Sequence, residues 1–169
     1  MSPPGGRLVV SNTSPLTNLA AIGQLNLLHR LFGHVDIAQA VWDELNANGR
    51  SWPGRDEVAR ASWITRQTAK NGALIRALQR DLDRGESESI ALALELGADL
   101  ILLDEHDGRR LAQQQGLKPM GVVGVLLLAK QRGLLPLIRP ELDALRTDAG
   151  FWLGDRVYQL ALEKARESL

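Results

Sequence analysis

The stretch RGESESIALALELGADLILLDEHDGRRLAQQQGLKPMG, residues 84–121, decides the fold of this chain. A helical pattern begins after Gly85 and ends at Gly97, and an uninterrupted aliphatic run follows at residues 100–103. A second helical pattern covers residues 108–115 and stops at Gly116. Strands that are apolar throughout and alternate with helices are typical of a parallel sheet covered on both faces. We therefore predict an α/β fold with a central parallel sheet.

The same alternation extends over the rest of the chain. Short β-rich runs predict three further strands, at residues 7–10, 35–37 and 63–65. Apolar spacing predicts further helices over residues 16–21, 25–31, 38–48 and 73–82, with Gly49 as the stop of the third.

The stretch RLVVSNTSPLTNLAAIG, residues 7–23, places a polar cluster between a strand and a helix. Ser14 as N-cap and Pro15 at the first helical position would explain the cluster structurally. Alternatively, it forms the floor of an active site, because functional groups of parallel α/β sheets gather where strands end.

Length and composition indicate one globular domain over residues 1–169. Of the 169 residues, 44% are hydrophobic and 24% are charged, which suffices for a hydrophobic core. Cysteine is absent, which excludes disulfides, thiolate catalysis and cysteine-bound zinc. No apolar run reaches the length of a membrane span, and MSPPGGR lacks the features of a signal peptide. We therefore expect a cytoplasmic protein without membrane partners.

The formal net charge of zero argues against indiscriminate binding to nucleic acids. Four arginines have two interpretations: they form a local basic patch that binds nucleic acid, or they lie on a solvated helix face. They are Arg50, Arg55, Arg60 and Arg66.

Acidic residues recur at predicted strand ends and helix starts. Asp104 and Glu105 follow the aliphatic run, as Asn12 follows the first strand, and Glu44 lies in the helix after the second. If they converge with Glu86 or Glu88, they form an oxygen-rich cluster suited to Mg²⁺ or Mn²⁺. Each also has a structural interpretation: first-turn glutamates favour a helix N-terminus, Asp104 would cap the next helix, and Glu44 would simply be solvated.

Four motifs in this order resemble the PIN-domain superfamily: VVSNTSPL, AVWDEL, GESESIALALELGADLILLDE, and GRRLAQQQGLKPMGVVGVLLLAKQRGLL. They are most similar to a prokaryotic branch that opens with a Ser-Asp/Asn-Thr-Ser-Pro-Leu motif, and the resemblance extends to GFWLGDRVYQLALEKA near the C-terminus. It implies a Rossmann-like three-layer α/β/α fold and a ribonuclease that depends on Mg²⁺ or Mn²⁺. Many bacterial members are toxins of toxin–antitoxin pairs.

The resemblance also implies which residues form the site. The catalytic and metal-binding positions fall on Asn12, Glu44, Glu88 and Asp104, with Thr13 and Ser14 beside the substrate. The spacing to Ile90 favours Glu88 as the third acid, and Glu86 remains an alternative.

Asn12 departs from the aspartate that is usual in the superfamily. An amide offers one neutral oxygen and no charge, so affinity for an ion should fall. The chain is then either a weakened ribonuclease or a non-catalytic module that binds RNA or a partner protein.

The implied partners are an RNA substrate, a small antitoxin and a second copy of the chain in a homodimer. One rival interpretation is the His106-Asp107 pair, which is similar to the metal-binding pair of phosphohydrolases. That motif needs further metal-binding histidines, and the position of His29 and His34 in an early, surface region argues against it. A dinucleotide site is excluded, because GVVG is not a Gly-x-Gly-x-x-Gly turn.

Overall fold

The sheet is parallel throughout the part of the chain that the computed structural model describes, residues 7–47 and 51–168. Its strands are β1 (Val9–Ser11), β2 (Val35–Ala38), β3 (Ile64–Gln67), β4 (Leu100–Leu102) and β5 (Pro119–Met120). They lie in the order β3-β2-β1-β4-β5, and every neighbouring pair is parallel. Strand β1 is therefore central, and its carboxyl end lies between those of β2 and β4.

Helices connect and cover these strands. In chain order they are α1 (Thr13–Ala21), α2 (Asn26–Phe32), α3 (Gln39–Leu45), α4 (Arg55–Arg60), α5 (Gly72–Leu78), α6 (Arg84–Leu96), α7 (His106–Gln114), α8 (Val122–Gln131), α9 (Arg139–Thr147) and α10 (Asp155–Lys164). None of them is long and apolar enough to cross a membrane.

Each face of the sheet carries its own hydrophobic core. Val9 of β1 lies in the larger core and Val10 in the smaller one, and Leu102 and Ile101 of β4 divide in the same way. Successive side chains of a strand point to opposite faces, so an apolar strand needs helices on both. The larger core is closed by α1, α2, α3, α4, α8, α9 and α10, and the smaller one by α5, α6 and α7. The predicted three-layer α/β/α fold is thereby confirmed.

The prediction that Ser14 caps the first helix is wrong. Asn12 is the N-cap of α1, with extended backbone (φ −77°, ψ 175°), and its side chain makes no capping hydrogen bond. Its N–H donates instead to Leu102 O at 2.9 Å, so Asn12 continues the pairing of β1 with β4. Pro15 is the third helical residue, where an N–H has no partner inside the helix and its loss is tolerated.

Other predicted boundaries differ by one to four residues. Strand β1 begins at Val9 rather than residue 7, and β3 extends to Gln67. Helix α5 ends at Leu78, and residues 79–81 form turns. Helix α3 ends at Leu45. The predicted end at Asn48, the stop at Gly49 and Arg50 of the suggested basic patch lie outside the described residues.

Two predicted helix stops are confirmed by backbone conformation. Gly97 and Gly116 have φ of +65° and +84°, a region that glycine enters without steric cost. They end the helices on either side of β4, so this strand lies between two sharp turns.

Candidate active site

The carboxyl ends of β1 and β4 bring Asn12 and Asp104 to one edge of the sheet. Asn12 follows β1 directly, and Asp104 is separated from β4 by Leu103. Parallel strands place these ends on the same side, where ligands of α/β proteins bind. The first turn of α1 and the start of α6 lie beside them.

Asn12 and Thr13 connect this edge to Glu44 of α3. The Thr13 hydroxyl donates to Glu44 Oε2 at 2.7 Å. Asn12 is only 5% exposed, and its Oδ1 has no hydrogen-bond partner among the described residues. A buried carbonyl oxygen without a partner is costly and marks a place where a ligand is missing or strain is stored.

Gly85 in the first turn of α6 leaves the space into which these oxygens project. A Cβ built on Gly85 would lie 3.1 Å from Glu44 Oε2, 3.3 Å from Asn12 Oδ1 and 3.6 Å from Asp83 Oδ1. The backbone there is helical with negative φ, so conformation does not require glycine. The close approach of three oxygens explains its presence.

Asp83 and Glu86 are the acidic residues at the N-terminus of α6. Asp83 is the N-cap, and its Oδ1 accepts a hydrogen bond from Glu86 N at 2.8 Å. Glu86 is 8% exposed. Burial, the carboxylate of Asp83 and those of Glu105 and Glu44 raise the pKa of Glu86 to about 8. In the absence of a cation, Glu86 therefore keeps its proton at neutral pH.

Glu88, preferred from its spacing, has different neighbours. Its Oε1 accepts from Ala40 N at 3.1 Å and its Oε2 from Arg84 Nε at 2.7 Å. Arg84 also pairs with Asp43 at 3.1 Å. Glu88 thus binds the start of α3 and is neutralised by an arginine, whereas Glu86 lies among carboxylates. Glu86 therefore interacts with the carboxylates of Asp83, Glu105 and Glu44, whereas Glu88 interacts with Ala40 and Arg84.

Asp104 is held by three groups. Its Oδ1 accepts from Val122 N at 2.8 Å, and its Oδ2 accepts from the Ser14 hydroxyl at 3.2 Å. Burial raises the pKa of Asp104, and the hydrogen bonds from Val122 and Ser14 and the charge of Arg109 oppose that shift. Asp104 therefore caps α8 and not α7, whose N-cap is Glu105.

Gly121 makes this arrangement possible. A Cβ on Gly121 would lie 2.8 Å from Arg109 Nη1 and 2.9 Å from Asp104 Oδ1. A larger residue would push these two groups away. Ser14 Oγ in turn accepts from Asn18 Nδ2 at 3.0 Å, so its orientation towards Asp104 is fixed from α1.

The donor set suits a hard divalent cation. It consists of carboxylate and amide oxygens, which Mg²⁺ and Mn²⁺ prefer, and the unpartnered Asn12 Oδ1 fits such an ion. Within residues 7–47 and 51–168, however, no three side chains of histidine, cysteine, aspartate or glutamate lie close enough to hold one. The site offers Glu44, Asp83 and an amide, which leaves room for water ligands.

The rival histidine site has no support in the structure. His106 is 90% exposed at the start of α7, 3.5 Å from Asp107. His29 stacks on Trp63 with ring centroids 5.3 Å apart, and His34 pairs with Asp36. Of the suggested basic patch, Arg66 lies over the ring of Trp42.

Sequence reasoning missed Asp83, Arg84 and Arg109 as members of this region. Asp83 carries a recognisable signal, since it stands three residues before Glu86 in the capping pattern Asp-x-x-Glu. Arg109 carries none, because its approach to Asp104 depends on the packing of α7 against Gly121.

A family model described as a PIN domain matches residues 8–167 of the chain. No curated protein matches the chain.

Proposed function

The chain belongs to the PIN-domain family, and from this premise we propose that it is a ribonuclease that hydrolyses RNA phosphodiester bonds with Mg²⁺ or Mn²⁺. The observation that carries the proposal is the convergence of Asn12, Glu44 and Asp83 oxygens on the space beside Gly85. Glu86 and Asp104 complete the acidic edge. We assign the third acidic position of the site to Glu86 rather than Glu88.

The acidic edge by itself repels RNA. Neighbouring carboxylates already help to raise the pKa of Glu86, and a phosphodiester would add a further negative charge. A cation between them removes this conflict. When bound, the ion would stabilise charge on the phosphate and lower the pKa of the attacking water.

Thr13 and Ser14 act as positioning residues in this proposal. Each hydroxyl donates a hydrogen bond to a carboxylate: Thr13 to Glu44 and Ser14 to Asp104. This fixes the direction of both acids before substrate binds and leaves the Asn12 oxygen free to face the ion. Preorganised polar groups of this kind reduce the cost of reaching the transition state.

We further propose that the protein is the toxin of a bacterial toxin–antitoxin pair, acting on RNA in the cytoplasm. Family membership supports this role, and a small antitoxin and a second copy of the chain are the expected protein partners. A mass measurement of the purified protein tests the homodimer, and co-purification with the product of the adjacent gene tests the antitoxin.

A non-catalytic module that binds RNA or protein is the second candidate. It is favoured by the amide at Asn12 and by the lack of three metal-spaced acids among the described residues. It predicts RNA binding without cleavage.

A cleavage assay separates the two candidates. Purified protein is incubated with a labelled RNA in Mn²⁺, in Mg²⁺ and in EDTA. The ribonuclease proposal predicts cleavage in the metals only, and its loss in Glu44→Gln and Asp104→Asn. Asp43→Asn is the matched control, since Asp43 pairs with Arg84 at the rim. If the RNA stays intact in every condition, the ribonuclease proposal fails and the non-catalytic binding module is the remaining candidate.

A further inference from the structure

We propose that Asp83 supplies the negative charge that Asn12 lacks, so that a divalent cation is held beside Gly85 by Glu44, Asp83 and the Asn12 amide oxygen. The inference rests on the proposed function, because it concerns the same site. The inference adds Asp83, at the start of α6, as a ligand. The site then has two carboxylates, those of Glu44 and Asp83, although the residue after β1 is an amide.

Three segments of the chain direct oxygens at one point. Glu44 comes from α3, Asn12 from the end of β1 and Asp83 from the residue before α6, and all three oxygens lie within 3.6 Å of the Cβ position of Gly85. Glu44 and Asp83 also line an open pocket of about 320 Å³. Gly85 lines the same pocket, so the space beside it is open to an ion from solvent.

The Asn12 side chain independently indicates a ligand. It is 5% exposed, and its Oδ1 accepts no hydrogen bond within the described residues. Buried polar atoms are nearly always paired. A cation beside Gly85 would satisfy this oxygen without moving the backbone of β1.

Asp83 is better placed for this role than Asp104. Both Asp104 oxygens accept hydrogen bonds, from Val122 N and from Ser14, and Arg109 offsets its charge. Asp83 accepts a hydrogen bond from Glu86 N at Oδ1 and interacts with the Glu86 side chain, and it lines the pocket together with Glu44 and Gly85. Mg²⁺ and Mn²⁺ need only one or two carboxylates, because water completes their coordination. Glu44 and Asp83 meet that requirement.

The test measures Mn²⁺ binding alone, by calorimetric titration of MnCl₂ into metal-stripped full-length protein. Asp83→Asn removes the charge but keeps a good N-cap, so α6 should still form. Asp43→Asn is the control, since Asp43 lines the same pocket but pairs with Arg84. Asn12→Asp combined with Asp83→Asn returns one carboxylate to the cluster. Thermal melts confirm that each variant folds.

We expect Asp83→Asn to weaken Mn²⁺ binding about tenfold or more and Asp43→Asn to weaken it by less than about threefold. The double variant should bind within about threefold of the unchanged protein. Equal binding by Asp83→Asn and the unchanged protein, or no recovery in the double variant, would overturn the inference, and so would absence of Mn²⁺ binding by the unchanged protein. Mn²⁺ binding that depends on Asp83 without any RNA cleavage would support the inference and contradict the proposed function.

Discussion

Thr13 and Glu44, which lie 31 positions apart in the chain, are joined by a 2.7 Å hydrogen bond from the Thr13 hydroxyl to Glu44 Oε2. The bond ties the first turn of α1 to α3 and leaves the Glu44 carboxylate facing Gly85. A short hydrogen bond to a charged acceptor both stabilises the fold and orients the carboxylate that accepts it.

Thr13→Val should therefore damage the site more than the fold. Valine keeps the shape but removes the donor, which costs about 1 to 3 kcal/mol of stability and frees Glu44 to rotate. At a temperature where the variant is folded, the rate of RNA cleavage in Mn²⁺ should fall about tenfold or more, because misplaced catalytic groups slow the reaction. Thr17→Val is the control, since the Thr17 hydroxyl bonds the Ser14 backbone carbonyl. Equal losses in both variants would show that the Thr13 bond has no special role.

Gly85→Ala should reduce Mn²⁺ binding without unfolding the protein. The added Cβ would meet Glu44 Oε2 at 3.1 Å and Asn12 Oδ1 at 3.3 Å, and so would fill the ion's space. Alanine favours the helix by roughly 0.5 to 1 kcal/mol, so thermal stability should stay close to its original value. In Gly72→Ala, the added Cβ would meet only the end of the Arg76 side chain, and Mn²⁺ binding should be unchanged. Undiminished Mn²⁺ binding by Gly85→Ala would contradict the role of this space.

Glu86 should make the metal-free protein less stable as pH rises. The pKa of Glu86 is raised from 4.5 to about 8 in the folded state, first by burial and then by Asp83. Below pH 4.5 the group is protonated in both states; above it, the unfolded chain releases the proton while the folded chain retains it. Stability from this group is therefore lost between about pH 4.5 and 8.

Melting temperatures of the unchanged protein and of Glu86→Gln, measured in EDTA from pH 5 to 8, check this expectation. The variant should gain relative stability as pH rises, because glutamine carries no charge to bury. A difference between the two proteins that stays constant over this range would show that Glu86 titrates normally.

Asn12→Asp should tighten Mn²⁺ binding and increase cleavage. The two side chains have nearly the same shape, and the change adds a carboxylate to the oxygens beside Gly85, where charge governs affinity for a divalent ion. The same charge should lower the stability of the metal-free protein, since Glu44 and Glu86 lie near. Calorimetric titration with Mn²⁺ and melts with and without the ion measure both effects. Weaker Mn²⁺ binding by Asn12→Asp would mean that the amide is itself required.

Glu167 should stabilise the C-terminal part of the fold without affecting the site. Its carboxylate accepts from Ile138 N at 2.8 Å, Arg139 N at 3.1 Å and Lys130 Nζ at 2.9 Å. Glu167→Gln should lower the free energy of unfolding, measured in urea, by about 2 kcal/mol. The reason is that hydrogen bonds to a neutral amide oxygen are weaker than hydrogen bonds to a carboxylate. The exposed Glu163 gives the control Glu163→Gln, which should cost less than about 0.5 kcal/mol. Equal stabilities of the two variants would contradict this role.

Much of this site was predictable from chain position. Asn12 and Asp104 follow strands that the aliphatic runs reveal, and parallel pairing brings strand ends to one edge. Glu44 was found through its motif. Gly85 was identified only as the residue before a helix, because its second property, the approach of three oxygens, involves residues distant in the chain.

The sequence by itself determined the parallel three-layer fold, since apolar runs such as residues 100–103 are stable only when both sheet faces are covered. The tertiary structure alone decided which groups surround each glutamate at the start of α6. Glu86 and Glu88 share the start of α6, but two positions on a helix turn the side chain by roughly 200°. Packing of α6 directs Glu86 towards Asp83 and Glu44 and Glu88 towards Ala40 and Arg84. Local spacing is the same for either outcome, so only the neighbouring elements distinguish the two acids.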